Sequence, residues 1–478
     1  MRTFPLAAAI LAMCWGQASC ERALADDDPD VLPVIKFHVT ARGEPTPALR
    51  YKFLPTFREL KPGNGALVYA KVTVPFEGPR GRGASEMDQR FGNDWLETPV
   101  EKLPRDKVDK DLAAYDYIFA EVDRAARMAT CDWQLDIRSE KPWDVRLPEV
   151  QGMRQIARAL VVKARLQIHD KKYDEAIRTL QTGFAMSRHV AEGETLINAL
   201  VGIAVDSILL NEVETLMRAP DAPNLYWALT ALPRPMIDMR KALNAEMHFV
   251  DFSVGGIDDL RHADFTPDEW RKLVNKMDRL LIDMNGGLNT ADQSRALSTM
   301  LSVRLYPAAR QWLIDSGMTA EAVDKLPVAQ VIAIHKIESF NRLRDNVFKW
   351  MYLPVWQQQP GARKADLDIR RSSETLEGFP LAEVLPAIQM STTAGARLDR
   401  RIASLAAVNA LRMHAAANGG KLPATLAEIT VAPVLEDPTT GQPFGYSVNG
   451  ATATLTSPPL PNQPVSVAGL HYEITIAP

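Results

Sequence analysis

The stretch from Arg154 to Met217 leaves this chain the least conformational freedom. Ala157, Leu160, Val161, Ala164 and Ile168 recur at the spacing that gathers apolar side chains on one stripe of a helix. Asp170-Lys171-Lys172 breaks that pattern, and Tyr173-Asp174-Glu175-Ala176-Ile177 opens a second helix whose first turn carries acids, where the backbone dipole favours them. Ile177, Leu180 and Phe184 continue its apolar side. Ala164, Ala176 and Gly183 are small where two antiparallel backbones would meet, so the reading is a helical hairpin around residues 170–173. A third helix, Leu196 to Met217, holds the apolar run Leu196 to Val205. Asn198 and Asp206 interrupt it, and it falls short of the ~20 apolar residues of a membrane span, so it is expected to be a central core helix.

The flanks differ in character. Residues 26–105 are rich in Pro and Gly; Val34 to Val39 predicts a strand, and Leu49, Tyr51 and Phe53 alternate with Arg50 and Lys52 as a half-buried strand does. Pro62-Gly63-Asn64-Gly65 predicts a turn, Ala66 to Val74 suits helix or strand, and Gly78 to Gly83 reads as an exposed loop. From residue 106 to 418 the pattern is helical. Helices are expected over Leu112–Met128, the central three, Asn224–Leu232, Met236–Val250, Pro267–Met284, Ala291–Ser316, Val328–Tyr352 and Leu381–Asn418. Thr266-Pro267-Asp268-Glu269 is a complete start signal, with a capping Thr, Pro in the first turn and acids behind it. After Gly419-Gly420, residues 419–478 predict a small antiparallel sheet. Phe444, Tyr446 and Val448 alternate up to Asn449-Gly450, a type I′ hairpin signal, and Tyr472, Ile474 and Ile476 form a last strand. The fold class is therefore mainly α: an irregular helical-repeat or bundle body with a β-containing N-terminal segment and a small C-terminal antiparallel sheet.

Three resemblances attach to these residues. Leu160, Ala164, Ala176, Leu180 and Gly183, with the turn Tyr173-Asp174-Glu175-Ala176, resemble a tetratricopeptide repeat. The match departs at Lys163, Gln167 and Arg188, and no array continues, because Asn198 and Leu210 fall on the next small positions. The resemblance implies a helical hairpin of the kind that binds proteins or peptides. Gly419-Gly420-Lys421-Leu422-Pro423 and Asp437-Pro438-Thr439-Thr440-Gly441 before a hairpin resemble the globular head of type II secretion pseudopilins, although those begin with a methylated apolar helix and this chain does not. Finally, Leu49-Arg50-Tyr51-Lys52-Phe53-Leu54-Pro55, Cys131-Asp132-Trp133, Asn224-Leu225-Tyr226-Trp227-Ala228-Leu229 and Arg397-Leu398-Asp399-Arg400-Arg401 are similar to segments of a group of exported bacterial proteins without an assigned activity. That likeness implies export and organisation, and no chemistry.

Export is also the reading of residues 1–25. Arg2 supplies the positive start, Leu6 to Trp15 the short apolar centre, and Ala23-Leu24-Ala25 a cleavage site before Asp26-Asp27-Asp28. Cleavage there removes Cys14 and Cys20 and leaves Cys131 alone, hence no internal disulfide; the competing reading is a lipid anchor at Cys20, where Gln17 departs from the usual aliphatic residue. The expected location is periplasmic or secreted. A formal net charge of −4 argues against general nucleic-acid binding, which needs a basic excess.

Candidate sites follow from side-chain chemistry. Arg154, Arg158 and Arg165 align on the first hairpin helix, with Arg178 and Arg188 on the second, and guanidinium forks in a groove would grip a carboxylate or acidic peptide. Tyr226 and Trp227, followed by Pro233-Arg234-Pro235, could line a pocket with Arg234 at its mouth; packing against neighbouring helices is the competing reading. His189 with Glu192 and His335 with Glu338 place His and Glu three apart, as metal ligands in a bundle would be, though in the reverse order of the di-iron motif. Cys131 has no histidine near it in sequence, and a small buried residue is the reading preferred to a nucleophile. The sequence carries no G-x-S-x-G, H-E-x-x-H, P-loop, paired C-x-x-C or G-x-G-x-x-G. The leading expectation is an exported, non-catalytic scaffold that binds a protein or peptide of the envelope through residues 154–230, without cofactor. The alternatives are a periplasmic hydrolase or metal enzyme using dispersed His and carboxylates, and a structural envelope component.

Overall fold

The computed structural model describes residues 31–73, 93–138, 145, 147–255, 260–284, 291–358, 361, 364–365, 367–368, 381–460, 463, 465 and 469–477. The stretch expected to be an export signal, with Cys14 and Cys20, and the expected loop from Gly78 to Gly83 lie outside the described residues. In chain order the helices are α1 (Gly65–Thr73), α2 (Asn93–Glu97), α3 (Arg105–Ala113), α4 (Asp116–Ala126), α5 (Pro148–His169), α6 (Tyr173–Ala191), α7 (Leu196–Arg218), α8 (Tyr226–Thr230), α9 (Arg240–Met247), α10 (Phe249–Val254), α11 (Pro267–Met284), α12 (Ala291–Asp315), α13 (Ala320–Asp324), α14 (Val328–Phe348) and α15 (Leu381–Ala417). The strands are β1 (Ile35–Thr40), β2 (Lys61–Asn64), β3 (Met128–Thr130), β4 (Gly445–Asn449), β5 (Thr452–Ser457) and β6 (Leu470–Ala477). The chain is mainly α.

The described residues form two compact units assembled from separate stretches of chain. The larger takes residues up to 135, 146–242 and from 393 onward, and its centre is α5, α6 and α7. Their apolar stripes are buried: Ala157, Leu160, Val161 and Ala164 on α5, and Ile177, Leu180 and Phe184 on α6. The turn between them is made by Lys171 in the left-handed region at φ 58°. Gly183 does a different job from the one expected at the α5–α6 seam. A Cβ on it would lie 2.7 Å from Leu209 Cδ2, so its missing side chain admits the third helix. Gly202 returns the arrangement, since a Cβ there would lie 2.9 Å from the Ser187 carbonyl oxygen. Helix α7 is long and apolar enough to cross a membrane, but most of its apolar window is buried within the unit.

The sheet corrects one expectation. It is mixed, in the order β1-β6-β5-β4, and its N-terminal strand β1 lies parallel to β6, with Phe37 opposite Ile474, so a purely antiparallel C-terminal sheet does not form. The reason is alternation: Phe37 and Val39 are buried on the same side as Tyr472, Ile474 and Leu455, and one face of three strands closes one core. The hairpin also differs from a type I′ turn on Asn449-Gly450. Asn449 pairs with Thr452 inside the ladder, and the two-residue turn is Gly450-Ala451 with Gly450 at φ 61°, the pattern of a II′ turn.

Residues 49–55 are not a strand. They form an extended arm on α6 whose polar groups are satisfied by side chains rather than by a neighbouring ladder. Arg50 and Tyr51 reach Asp174 at 2.6 and 2.9 Å, Gln181 Nε2 donates to the Leu54 carbonyl at 3.1 Å, and Phe53 packs on Phe184. The turn expected at Pro62-Gly63 is the strand β2, paired parallel with β3. The single helix expected over Leu112–Met128 is split into α3 and α4, and Met236–Val250 into α9 and α10.

In the smaller unit, residues 136–145 and 243–392, α14 is surrounded: Gln330 to Ile337 are all buried. Its Lys336 forms a buried ion pair with Asp278 of α11, and Glu338 pairs with Arg261 at 2.6 Å. The start signal at Thr266 forms as read: Thr266 N–H donates to Glu269 at 2.7 Å and Glu269 N–H returns a bond to Thr266 Oγ1 at 3.3 Å.

Candidate functional site

The larger unit brings together a set of side chains that are distant in sequence. Helix α1 presents Tyr69, the segment after β3 presents Cys131 and Trp133, and α6 presents His189. Tyr69 hydroxyl and His189 Nδ1 are 3.1 Å apart, Trp133 Nε1 donates to the His189 carbonyl at 2.7 Å, and the Tyr69 and Trp133 rings stack at 6.0 Å. Gly65 makes room for this, because a Cβ there would lie 3.1 Å from the Ala125 carbonyl and 3.4 Å from His189 Nδ1. Cys131, read without a histidine partner, thus shares the Tyr69 neighbourhood with His189.

Electrostatics decides what this cluster can do. Burial, then the charge of Arg188, pushes the His189 pKa down to about 4, so the imidazole is neutral. Burial, then Glu192, pushes the Cys131 thiol up, and the thiolate that a nucleophile needs is disfavoured. The adjoining cavity, lined by Trp133, Leu135, Leu147, Val150, Met153, Val190 and Asn198, measures about 10 Å³. That is roughly the room of one water and far below a small-molecule pocket. The cluster is a packed polar seam between α1 and α6.

Of the expected basic groove, Arg165 turns inward. Arg165 is buried, with Nη1 at 2.5 Å from Glu212 of α7 and Nη2 on the Thr98 carbonyl, so it faces the core and no ligand. Arg154 is half-buried and Arg158 exposed; burial and the like charge of Arg158 lower the Arg154 pKa. Arg178 ties Glu59 at 2.6 Å. Tyr226 is 1% exposed, and its hydroxyl donates to the Pro433 carbonyl, so it does not line an open pocket. Trp227 is half-buried with Nε1 donating to Glu44 at 3.0 Å, and Arg234 and Pro235 of that group are exposed. The metal-ligand candidates part company as well. His189 turns to Tyr69 while Glu192 is exposed, and the His335 ring stands edge-on to Trp312 while Glu338 is held by Arg261. Among the described residues no group of three or more His, Cys, Asp or Glu is placed to hold a metal.

Three acids, Asp206 and Glu212 buried and Asp399 half-buried, have their pKa values raised by desolvation. Asp206 of α7 is fully buried and receives the Ser187 hydroxyl; burial drives its pKa well up, and its Oδ2 has no hydrogen-bond partner among the described residues. Glu212, one turn and a half further along, has its pKa pushed up to about 7 by burial against the pull of Arg165. Asp399 of α15 accepts the Met236 N–H at 2.8 Å, and burial pushes it up to about 6. The one legible trace was Asp206 interrupting an apolar run.

The polar residues of the distinctive segments hold elements together. Arg412 of α15 is fully buried and donates to the carbonyls of Thr40 at 2.9 Å, Ala222 at 2.9 Å and Pro223 at 3.2 Å. Asn224 donates to the carbonyls of Arg42 and Asn409, and Arg401 reaches Glu214 at 2.6 Å. On the surface, the loop from Thr56 to Leu60 is pinned. Glu59 accepts both the Thr56 N–H at 2.8 Å and its hydroxyl at 2.9 Å while pairing with Arg178. At the tip of this pinned loop Phe57 is 92% exposed. Comparison with family models, with curated proteins and with solved structures gave no match to this chain.

Proposed function

We propose that the protein is an exported, non-catalytic helical scaffold whose α5–α6–α7 core displays a binding surface for a protein or peptide partner. The observation that carries this reading is Phe57: a large aromatic side chain, 92% exposed, on a loop whose Glu59 is hydrogen-bonded to Thr56 and Arg178. A preordered aromatic anchor beside exposed Arg58 and half-exposed Arg178 has the chemistry of an interface hot spot, since it binds without first ordering its own loop. The internal links of Arg165, Tyr226 and His189 also support the scaffold, because each spends its polar group on joining elements. Arg154, Arg158 and Arg234 remain candidates for the rim of the partner surface.

A photo-crosslinking residue placed at Phe57 in the native host tests this. The reading expects one discrete protein adduct, lost when Arg58 and Arg178 are both replaced by Glu. Adducts at Phe57 no stronger than those from the same probe at Val431 would overturn it.

A further inference from the structure

Each outer strand of the sheet leaves a row of backbone groups to be satisfied. On β1 the free edge is covered: the Arg218 guanidinium lies 4.4 Å over the Phe37 ring, and its Nε donates to the Lys36 carbonyl at 3.3 Å. On β4, Gly445, Ser447, Val448 and Asn449 are exposed, and among the described residues no strand pairs with its outer side. The devices that usually protect such an edge are missing from Gly445-Tyr446-Ser447-Val448-Asn449. It has no charge and no proline, and its register with β5 runs unbroken.

The register says which groups are available. A two-residue turn makes the closing pair Asn449 and Thr452 a hydrogen-bonded one, so Asn449, Ser447 and Gly445 turn their N–H and carbonyl groups toward β5. Tyr446 and Val448 turn theirs outward. They also lie on the core face, opposite Leu455 and Ala453, where the apolar layer runs out and Val448 is 36% exposed.

We propose that β4 pairs antiparallel with β4 of a second copy of this chain across a two-fold axis through Ser447. In that register the outward groups of Tyr446 face those of Val448 of the second copy, and the converse, giving four backbone hydrogen bonds. Each contact sets an aromatic ring opposite a β-branched side chain, a favourable cross-strand pair, and Ser447 meets Ser447 with no charge opposed to charge. The strand is its own complement, which selects a second copy over a foreign peptide. A five-residue strand buries a small area, so the dimer is a weak one, with a dissociation constant on the order of 10–100 µM. This proposal is independent of the Phe57 surface.

The test uses the full chain with Cys14 and Cys20 replaced by Ser, Cys131 being buried. Sedimentation is expected to move from one to two chain masses across the micromolar range, and Ser447→Lys to weaken the association at least about tenfold by opposing like charges. Ser447→Cys is expected to form an interchain disulfide, since residues directly opposite at a non-hydrogen-bonded site lie within disulfide reach, whereas Asn449→Cys, facing Gly445, is not. Ser447 is exposed, so both variants keep the wild-type fold, checked by circular dichroism. Amide exchange supplies a readout that needs no variant: Tyr446 and Val448 gain protection with concentration, and Ser447 is protected throughout. A single-chain mass at all concentrations, equal linkage of the two cysteine variants, or protection of Tyr446 and Val448 arising only when another protein is added would each overturn the proposal.

Discussion

Replacing Glu212 by Gln separates two forces that meet on one carboxyl group. Glu212 is 2% exposed and 2.5 Å from Arg165, yet burial outweighs that cation and its pKa rises from 4.5 to about 7. A raised folded pKa on an acid means that between these values the native state keeps a proton the unfolded chain has released. The contribution of Glu212 to stability is therefore fully present below pH 4.5 and is lost as pH rises through 7. A shift of that size corresponds to about 3 kcal/mol, to order of magnitude. Glu212→Gln keeps an acceptor for Arg165 and removes the titration. The two proteins should match near pH 4.5, with the variant ahead by about 3 kcal/mol at pH 8. Urea unfolding followed by circular dichroism at three pH values, with hydrogen exchange of the α7 amides to confirm which unit is reporting, measures the difference. Glu212→Leu, which strands the Arg165 cation, should cost about 3–5 kcal/mol. If the wild type instead gains on Glu212→Gln as pH rises, the guanidinium and not burial controls the site, and the reasoning fails.

Gly183→Ala forces Leu209 off its present position and should destabilise the larger unit by about 1–3 kcal/mol, read as a lowered denaturation midpoint that Leu209→Ala in the same chain partly restores. Arg412→Lys cannot reproduce the fork that serves Thr40, Ala222 and Pro223, so it should cost more than about 2 kcal/mol and raise amide exchange at the end of β1. The Cys131 thiol is buried with its ionisation suppressed, so alkylation by iodoacetamide should be negligible in the native protein and complete in denaturant; rapid native labelling would place Cys131 at a surface.

The helices were legible because their signals are local. Apolar spacing marks α5 to α7, and the capping residues around Thr266 set the start of α11 at Pro267. What failed was long-range. Alternation at Leu49 to Phe53 resembles a strand, but the partner that decides is Gln181, more than a hundred residues away. The arginines of α5 share a face in sequence, yet only the fold shows that α7 carries Glu212 toward Arg165. Tyr69 gave no sign of His189, because that pairing is made by the packing of α1 on the larger unit's core. The exposure of Phe57 follows from how Glu59 ties its loop to Thr56 and to Arg178 of α6, a long-range arrangement with no local signal.

The parallel pairing of β1 with β6 ties residues 35–40 to residues 472–477. As the ribosome delivers the polypeptide, β1 emerges early and then waits for nearly the whole chain before its neighbour exists. Closure of that sheet is accordingly a late event, and helices α5 to α7, whose contacts are nearer in sequence, can dock before it.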